Sequence, residues 1–316
     1  MSTELVEVVR SGFRECVHRG SVVIVRPDGV LRHVRGDGRH VILPRSSSKP
    51  FQVLGGLRCG LDLPDDVDVA LAAGSHNGEP EQVARVRAIL AKHGLSEDDL
   101  LCPPDLPIHP ASADAVLATG GKAERVTMNC SGKHAAMLAT CVQRGWSTSD
   151  YLDPSHPLQV TIRDTTAELG EEAVTVTAVD GCGAPQFGMS LRAMARAFGR
   201  LAQAAEGTHE HRVAAAMRAH PYFVAGTGRE DTLLMEAVPG LLSKAGAEGV
   251  YGAALPDGTA IALKIDDGHH RARLPVMVGA LRFLGVDTPG LAELAEETIK
   301  GGGRPVGSAR LLPGVF

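Results

Sequence analysis

Aromatic side chains are scarce in this 316-residue chain, whose seven Phe, three Tyr and one Trp make up only 3% of it. Its core must therefore be filled by Val, Leu, Ala and Ile, with 37 Gly available for tight turns. Positive charge is not in surplus either. Thirty-two Lys and Arg against 37 Asp and Glu leave a net charge of −5, with no basic block, which argues against a nucleic-acid surface. No apolar run approaches the roughly 20 residues that cross a bilayer. The start, Met1 to Val6, lacks a basic segment followed by an apolar one, so no signal peptide and a cytoplasmic location are expected. The six cysteines (Cys16, Cys59, Cys102, Cys130, Cys141 and Cys182) form no dense framework and no C-x-x-C pair. In a cytoplasmic protein they read as reduced thiols or ligands rather than disulfides.

What is present is an ordinary globular balance, 44% hydrophobic and 22% charged. Short apolar or alternating runs predict strands at Leu5–Val9, Ser21–Arg26 and Val30–Val34, the last two joined by a Pro27-Asp28-Gly29 turn. Helical periodicity takes over from about residue 75 to 245, in Pro80–His93, Ser131–Arg144, Val160–Leu169, Leu191–Ala205, Arg212–Ala219 and Asp231–Ala237, with a strand at Ala173–Val179 between them. Strands return at Val250–Ala254 and Thr259–Ile265 around Pro256-Asp257-Gly258, and two helices, Leu274–Leu284 and Pro289–Lys300, close the chain. This order predicts one α/β domain over residues 1–316. Its antiparallel sheet comes from both ends of the chain (about 1–45 and 249–316), beside a mainly helical lobe (about 46–248).

The stretch Arg45-Ser46-Ser47-Ser48-Lys49-Pro50 stands at a loop-to-helix junction. Ser46 and Lys49, three apart, share a helix face, a spacing that lets a lysine take a serine's proton. Pro50 pins the helix start and biases Lys49 away from the α region. The plain alternative is a Ser-rich cap beside a surface lysine. Gly74-Ser75-His76-Asn77-Gly78-Glu79-Pro80 opens a helix with small and polar residues, which suits either a ligand loop or a cap.

Met128-Asn129-Cys130-Ser131-Gly132-Lys133-His134 puts a cysteine at a helix N-terminus near two basic groups, where its thiolate is expected to be favoured. Cys182 follows on the tight loop Asp180-Gly181-Cys182-Gly183-Ala184-Pro185. Two such distant cysteines are a weak metal signal alone. Ala225-Gly226-Thr227-Gly228-Arg229 lacks nucleotide-loop spacing; its arginine suits shaping a site or binding a carboxylate. Lys264, between Leu263 and Ile265, either faces solvent or is held inside for a purpose.

Taken together and in order, these stretches, with Val224–Asp231 and Leu263–Gly268, resemble the asparaginases of the rhizobial inducible type, the asparaginase II family. The resemblance runs through the whole chain. It implies a fold like that of serine β-lactamases and glutaminases, and hydrolysis of the side-chain amide of L-asparagine to L-aspartate and ammonia. It implies two Ser-Lys pairs, Ser46 with Lys49 and Ser75 with Lys264, a zinc held by Cys130, Lys133 and Cys182, and a homodimer. Reading the residues alone would not favour Lys133 over His134, because a lysine must be neutral to donate a lone pair.

On that reading Ser46 is the nucleophile and Lys49 its base, while Ser75 and Lys264 relay a proton to the leaving ammonia. Backbone N–H groups at the Ser46 helix start, with one from the Lys264 strand, stabilise the oxyanion, each worth roughly 3–4 kcal/mol. Arg45 is assigned to the substrate carboxylate, and His134 and Asp180 to its ammonium or to the metal shell. The alternatives are a glutaminase or another serine amidohydrolase, and a non-catalytic asparagine- or metal-binding protein. A penicillin-recognising enzyme is disfavoured because S-D-N and K-T-G triplets are missing.

Overall fold

Segments from the two ends of the chain assemble into one eight-stranded antiparallel sheet in the computed structural model, which describes residues 2–316. The strands are β1 (Thr3–Arg10), β2 (Phe13–Val25), β3 (Leu31–Arg35), β4 (Leu242–Ala245), β5 (Val250–Ala254), β6 (Ala260–Ile265), β7 (Glu296–Gly301) and β8 (Arg304–Leu311). They lie in the order β7-β8-β1-β2-β6-β5-β4, with β3 also paired to β2. This is the mixed α/β architecture expected, with an antiparallel sheet built from both ends of the chain.

The helices are α1 (Lys49–Arg58), α2 (Asp66–Ala72), α3 (Pro80–Lys92), α4 (Pro110–Ala118), α5 (Ser131–Arg144), α6 (Pro157–Gly170), α7 (Leu191–Ala202), α8 (His209–Ala219), α9 (Pro221–Val224), α10 (Glu230–Ala237), α11 (Arg273–Phe283) and α12 (Pro289–Leu294). Period-two alternation sends β2 side chains to both faces. Val22 and Ile24 join a core with Val276, Met277 and Leu281 of α11, whereas Val23 and Val25 join a second core with Met194 and Phe198 of α7. The α7 side is packed closely. A Cβ at Gly252 would stand 2.4 Å from the Phe198 ring, and one at Gly199 2.6 Å from the Gly258 carbonyl. Glycines on β5 and on α7 itself are therefore what let α7 settle on the sheet.

The C-terminal region departs from expectation. The helix predicted over Pro289–Lys300 stops at Leu294, and β7 and β8 follow as a hairpin. In β7 only Ile299 is buried, so this edge strand shows little alternation for a sequence reader to find. Gly302 and Gly303 both take positive φ, the backbone a two-residue hairpin turn needs. The predicted strand Ala173–Val179 shrinks to Thr177–Val179, paired with Pro185–Phe187. Strand β4, which carries Lys244, was not anticipated. Among the described residues no helix is long and apolar enough to cross a membrane.

Phe198 is fully buried and meets Phe51 edge-on at 5.5 Å. Phe198→Ala should lower unfolding stability by about 3–5 kcal/mol. Phe13→Ala, at a ring that is 71% exposed, should stay within about 0.5 kcal/mol. Urea midpoints of the two variants provide the check.

Candidate active site

The junction before α1 is a single 3-10 turn over Arg45–Ser48. Arg45 enters it at φ +51, a left-handed conformation that costs a non-glycine residue on the order of 1–2 kcal/mol. Two contacts hold it there. Its Nε donates to Asp180 Oδ1 at 2.6 Å, and its carbonyl accepts the Ser48 hydroxyl at 2.8 Å. Lys49 follows in regular α conformation, φ −57 and ψ −36, so the expected pre-proline distortion is overridden by the turn that precedes it.

Lys49 is 1% exposed. Its Nζ donates to the Gly74 carbonyl at 2.7 Å, the Ser75 hydroxyl at 2.9 Å and the Asn129 carbonyl at 3.4 Å. The lysine expected to serve Ser46 is thus bonded to Ser75. Ser46 is half-buried, and among the described residues its hydroxyl has no hydrogen-bond partner. Neither predicted pair is hydrogen-bonded; the structure instead joins one member of each, Lys49 and Ser75, across two elements.

It does not bring Lys264 to Ser75. Lys264 Nζ is held by the carbonyls of Glu248 and Ile265, both at 2.6 Å. The second lysine at the site is Lys244 of β4, 1% exposed, which sequence reasoning missed. Its carbonyl accepts the Ser47 hydroxyl at 2.8 Å, and its Nζ meets Asp231 Oδ2 at 2.9 Å. Burial, opposed by Asp231 and reinforced by Lys49, brings its pKa down to about 8. The missed signal was Lys244-Ala245-Gly246, a K-x-G triplet ending an apolar run. Next to it, a Cβ at Gly246 would press on the Pro44 carbonyl and the Ser47 hydroxyl. The strand beside the serine turn is therefore β4, not the β6 strand of Lys264.

The loop carrying Ser75 is fixed on both sides. The Ser75 N–H donates to the Val224 carbonyl at 2.7 Å. His76 Nδ1 accepts from the Gly78 N–H, so its Nε2–H faces the Ser131 hydroxyl at 2.8 Å. Asn77 donates to Glu79 Oε1 and to the Thr227 carbonyl, while its Oδ1 accepts from Arg229 Nη1 at 3.0 Å. Glu79 accepts the backbone N–H and the hydroxyl of Thr227.

Arg45 and Asp180 engage each other rather than standing free, and Glu248 lies 3.7 Å from the same guanidinium. Their expected roles as separate receptors for the substrate's two charges do not fit this pairing. His134 is fully buried, with Nδ1 at 2.7 Å from the Tyr151 hydroxyl. It is not open to a substrate ammonium; it stands against the cysteine cluster.

In that cluster Lys133 Nζ lies 3.0 Å from Cys182 Sγ, and Cys130 Sγ is 3.0 Å from Asn129 Oδ1. The neighbouring Cys130 thiol, with Lys133 acting in the same direction, holds the Cys182 thiol below its ordinary range, while that neighbour and burial push Cys130 up. The ammonium contact of the cluster goes to Cys182, so a thiolate is favoured there rather than at Cys130, where it was expected. Burial disfavours the Lys133 ammonium, but the two thiols outweigh it and its pKa is raised. Burial lowers His134 to about 4, and its Nε2 is buried without a partner beside Cys182. Two sulfurs and an amine fit a divalent ion such as zinc, provided that Lys133 gives up its proton. Among the described residues no three His, Cys, Asp or Glu side chains converge, so His134, although its Nε2 is unpaired, does not join the two cysteines as a ligand.

Burial, with Lys49 and Arg229 nearby, lowers His76 to about 3 from 6.5. Below the folded value both states carry the proton, and above 6.5 neither does. Between them the unfolded chain binds more protons, so stability falls as pH drops through that window. The loss attributable to His76 reaches roughly 4–5 kcal/mol by pH 3. Urea titrations at pH 7, 5 and 4 should show the decline, and His76→Gln should make it shallower.

The family model for L-asparaginase II matches residues 6–311. No curated protein matches the chain. Among solved structures, the native form of Mglu is 14% identical with a TM-score of 0.44, over 84% of this chain and 63% of that one. The chain thus spans less than two thirds of the length of Mglu. A β-lactamase from Mycobacterium bovis is 13% identical with a TM-score of 0.45, over 84% and 95%. EstCE1, described as a hydrolase with promiscuous acyltransferase activity, is 11% identical with a TM-score of 0.40, over 92% and 93%. With the family model spanning residues 6–311, the chain belongs to the L-asparaginase II family.

Proposed function

We propose that the chain is an L-asparaginase that works through a serine ester. The observation that carries this reading is the enclosed Lys49 ammonium, 2.9 Å from the Ser75 hydroxyl, close in the chain to the unbonded Ser46. Ser46 is the hydroxyl a substrate can reach, and it sits at a helix start whose dipole favours a developing alkoxide. Lys49 must be neutral to act. Its two remaining N–H groups then keep carbonyl partners, and its lone pair turns to a hydroxyl.

Ser46 Oγ attacks the side-chain amide carbon and its proton passes to Lys49. As the C–N bond breaks, Ser75 gives its proton to the departing nitrogen and takes one back from Lys49, releasing ammonia. Water then attacks the ester, its proton passing through Lys49 to the Ser46 oxygen, and aspartate leaves. Lys244 replaces Lys264 as the second lysine of the site, and its Asp231 partner fixes its position. A competing reading, favoured by the Lys49–Ser75 bond itself, makes Ser75 the ester-forming residue.

Zinc is part of this proposal, with Cys130, Lys133 and Cys182 as its ligands and His134 as the neighbouring free donor. When bound it would supply a fixed positive charge beside the substrate. Asp180, bonded to Arg45 and close to Cys182, would tie that charge to the serine turn. Homodimeric assembly in the cytoplasm, implied by the family resemblance, belongs to the same proposal.

Ammonia release from L-asparagine is the direct test. Ser46→Ala should cut kcat by about 1,000-fold or more, and Lys49→Ala by about 100-fold or more. Lys244→Met should cost about 100-fold, whereas Lys264→Met should remain within about threefold of wild type. Acid-quenched turnover followed by peptide mapping locates the ester. Trypsin places Ser46 in the peptide Ser46–Arg58 and Ser75 in Cys59–Arg85, and an aspartyl group on the second would overturn the Ser46 assignment. For the metal, elemental analysis should find about one zinc per chain, lost in Cys182→Ser. Metal-free protein that keeps full activity in chelator would exclude an active-site role for it.

A further inference from the structure

A substrate that is a free amino acid must have its α-carboxylate received by a cation, and the guanidinium first suited to that, Arg45, is already neutralised by Asp180 at 2.6 Å. We propose that Arg229 receives the substrate's α-carboxylate and thereby restricts the enzyme to free amino-acid amides; this rests on the asparaginase reading above.

Arg229 is half-buried on the loop that crosses the Ser75 loop. Among the described residues no carboxylate forms an ion pair with it, and its side-chain hydrogen bond goes to Asn77 Oδ1 at 3.0 Å. That contact is directional. Asn77 Nδ2 is committed to Glu79 Oε1 at 2.9 Å and to the Thr227 carbonyl at 3.1 Å, so Oδ1 has to face the arginine. Asn77 stands two residues after Ser75, and a Cβ at Gly226 would collide with its side chain. The guanidinium is thus held at a set distance from the reacting groups through tightly packed backbone.

A guanidinium carries five N–H donors in a planar fork. One bond to Asn77 leaves enough of the fork to grip a carboxylate by two parallel hydrogen bonds. The field of Arg229 falls on His76 and Lys244, which places its charge within the electrostatics of the site.

The experiment compares kcat/KM for L-asparagine and for β-alaninamide, which is asparagine without its α-carboxylate, in wild type, Arg229→Lys and Arg229→Met. Wild type should prefer asparagine by on the order of 100-fold or more. The methionine variant should lose that preference, mainly through KM, and lysine should restore part of it. Equal losses on both substrates, with the preference intact, would mean that Arg229 only supports the loop, and the proposal would fall. Should the methionine variant not fold by circular dichroism, the lysine variant decides by the same ratio. If wild type hydrolyses neither amide, the asparaginase reading fails first. Calorimetric titration with L-aspartate then decides the carboxylate site: binding that is lost in Arg229→Met upholds it, and binding that is absent or equal in both overturns it.

Discussion

Three buried lysines organise this molecule, and the environment of Lys49 governs the rest. An ammonium enclosed in protein is tolerable only when its donors are met, because an unpaired buried charge costs several kcal/mol. Gly74, Ser75 and Asn129 meet them, which forces the loop before α3 and the loop before α5 to converge on the first turn of α1. Lys244 is met by Asp231 and Lys133 by Cys182. Each cation thereby draws a different part of the helical region towards the edge of the sheet.

The supporting contacts keep these charges in place without supplying chemistry. His76, neutral and bonded at both nitrogens, clamps the Ser75 loop to α5. Glu79 spans from Asn77 to Thr227 and so joins the Ser75 loop to the Arg229 loop. The Arg45–Asp180 pair links the strained serine turn to the cysteine loop, so backbone strain at Arg45 and the position of Cys182 are balanced by one ion pair. Displacement at either end would reach the other through it.

Sequence reading and structure part company wherever partners are chosen across the chain. A hydroxyl and an amine three residues apart suggest a pair, yet Lys49 is bonded to Ser75, because Gly74, Ser75 and Asn129 together meet the donors of its enclosed Nζ. Lys264 looked special between two apolar residues, but it lies near the end of β6, where backbone carbonyls take its charge. Lys244 lies in a triplet whose centre is Ala245 rather than the threonine of K-T-G, so the local pattern does not set it apart. A helix N-terminus suggests a thiolate at Cys130, but Lys133 Nζ stands against Cys182 and favours it there.

The sequence by itself determined the mixed class, the return of strands to the sheet at Val250–Ala254 and Thr259–Ile265, most helix positions and the family. These follow from local periodicity, turn residues and motifs in fixed order, all of which are short-range properties of a chain. Only the tertiary structure decided which lysine meets which serine, which thiol stands against Lys133, and that Arg229 has Asn77 as its side-chain partner. Those outcomes depend on burial and on contacts between residues tens to hundreds of positions apart, and no local pattern encodes them. The edge hairpin of β7 and β8 belongs with these. A strand that buries one side chain has almost no periodicity of its own and is defined by the neighbour it pairs with.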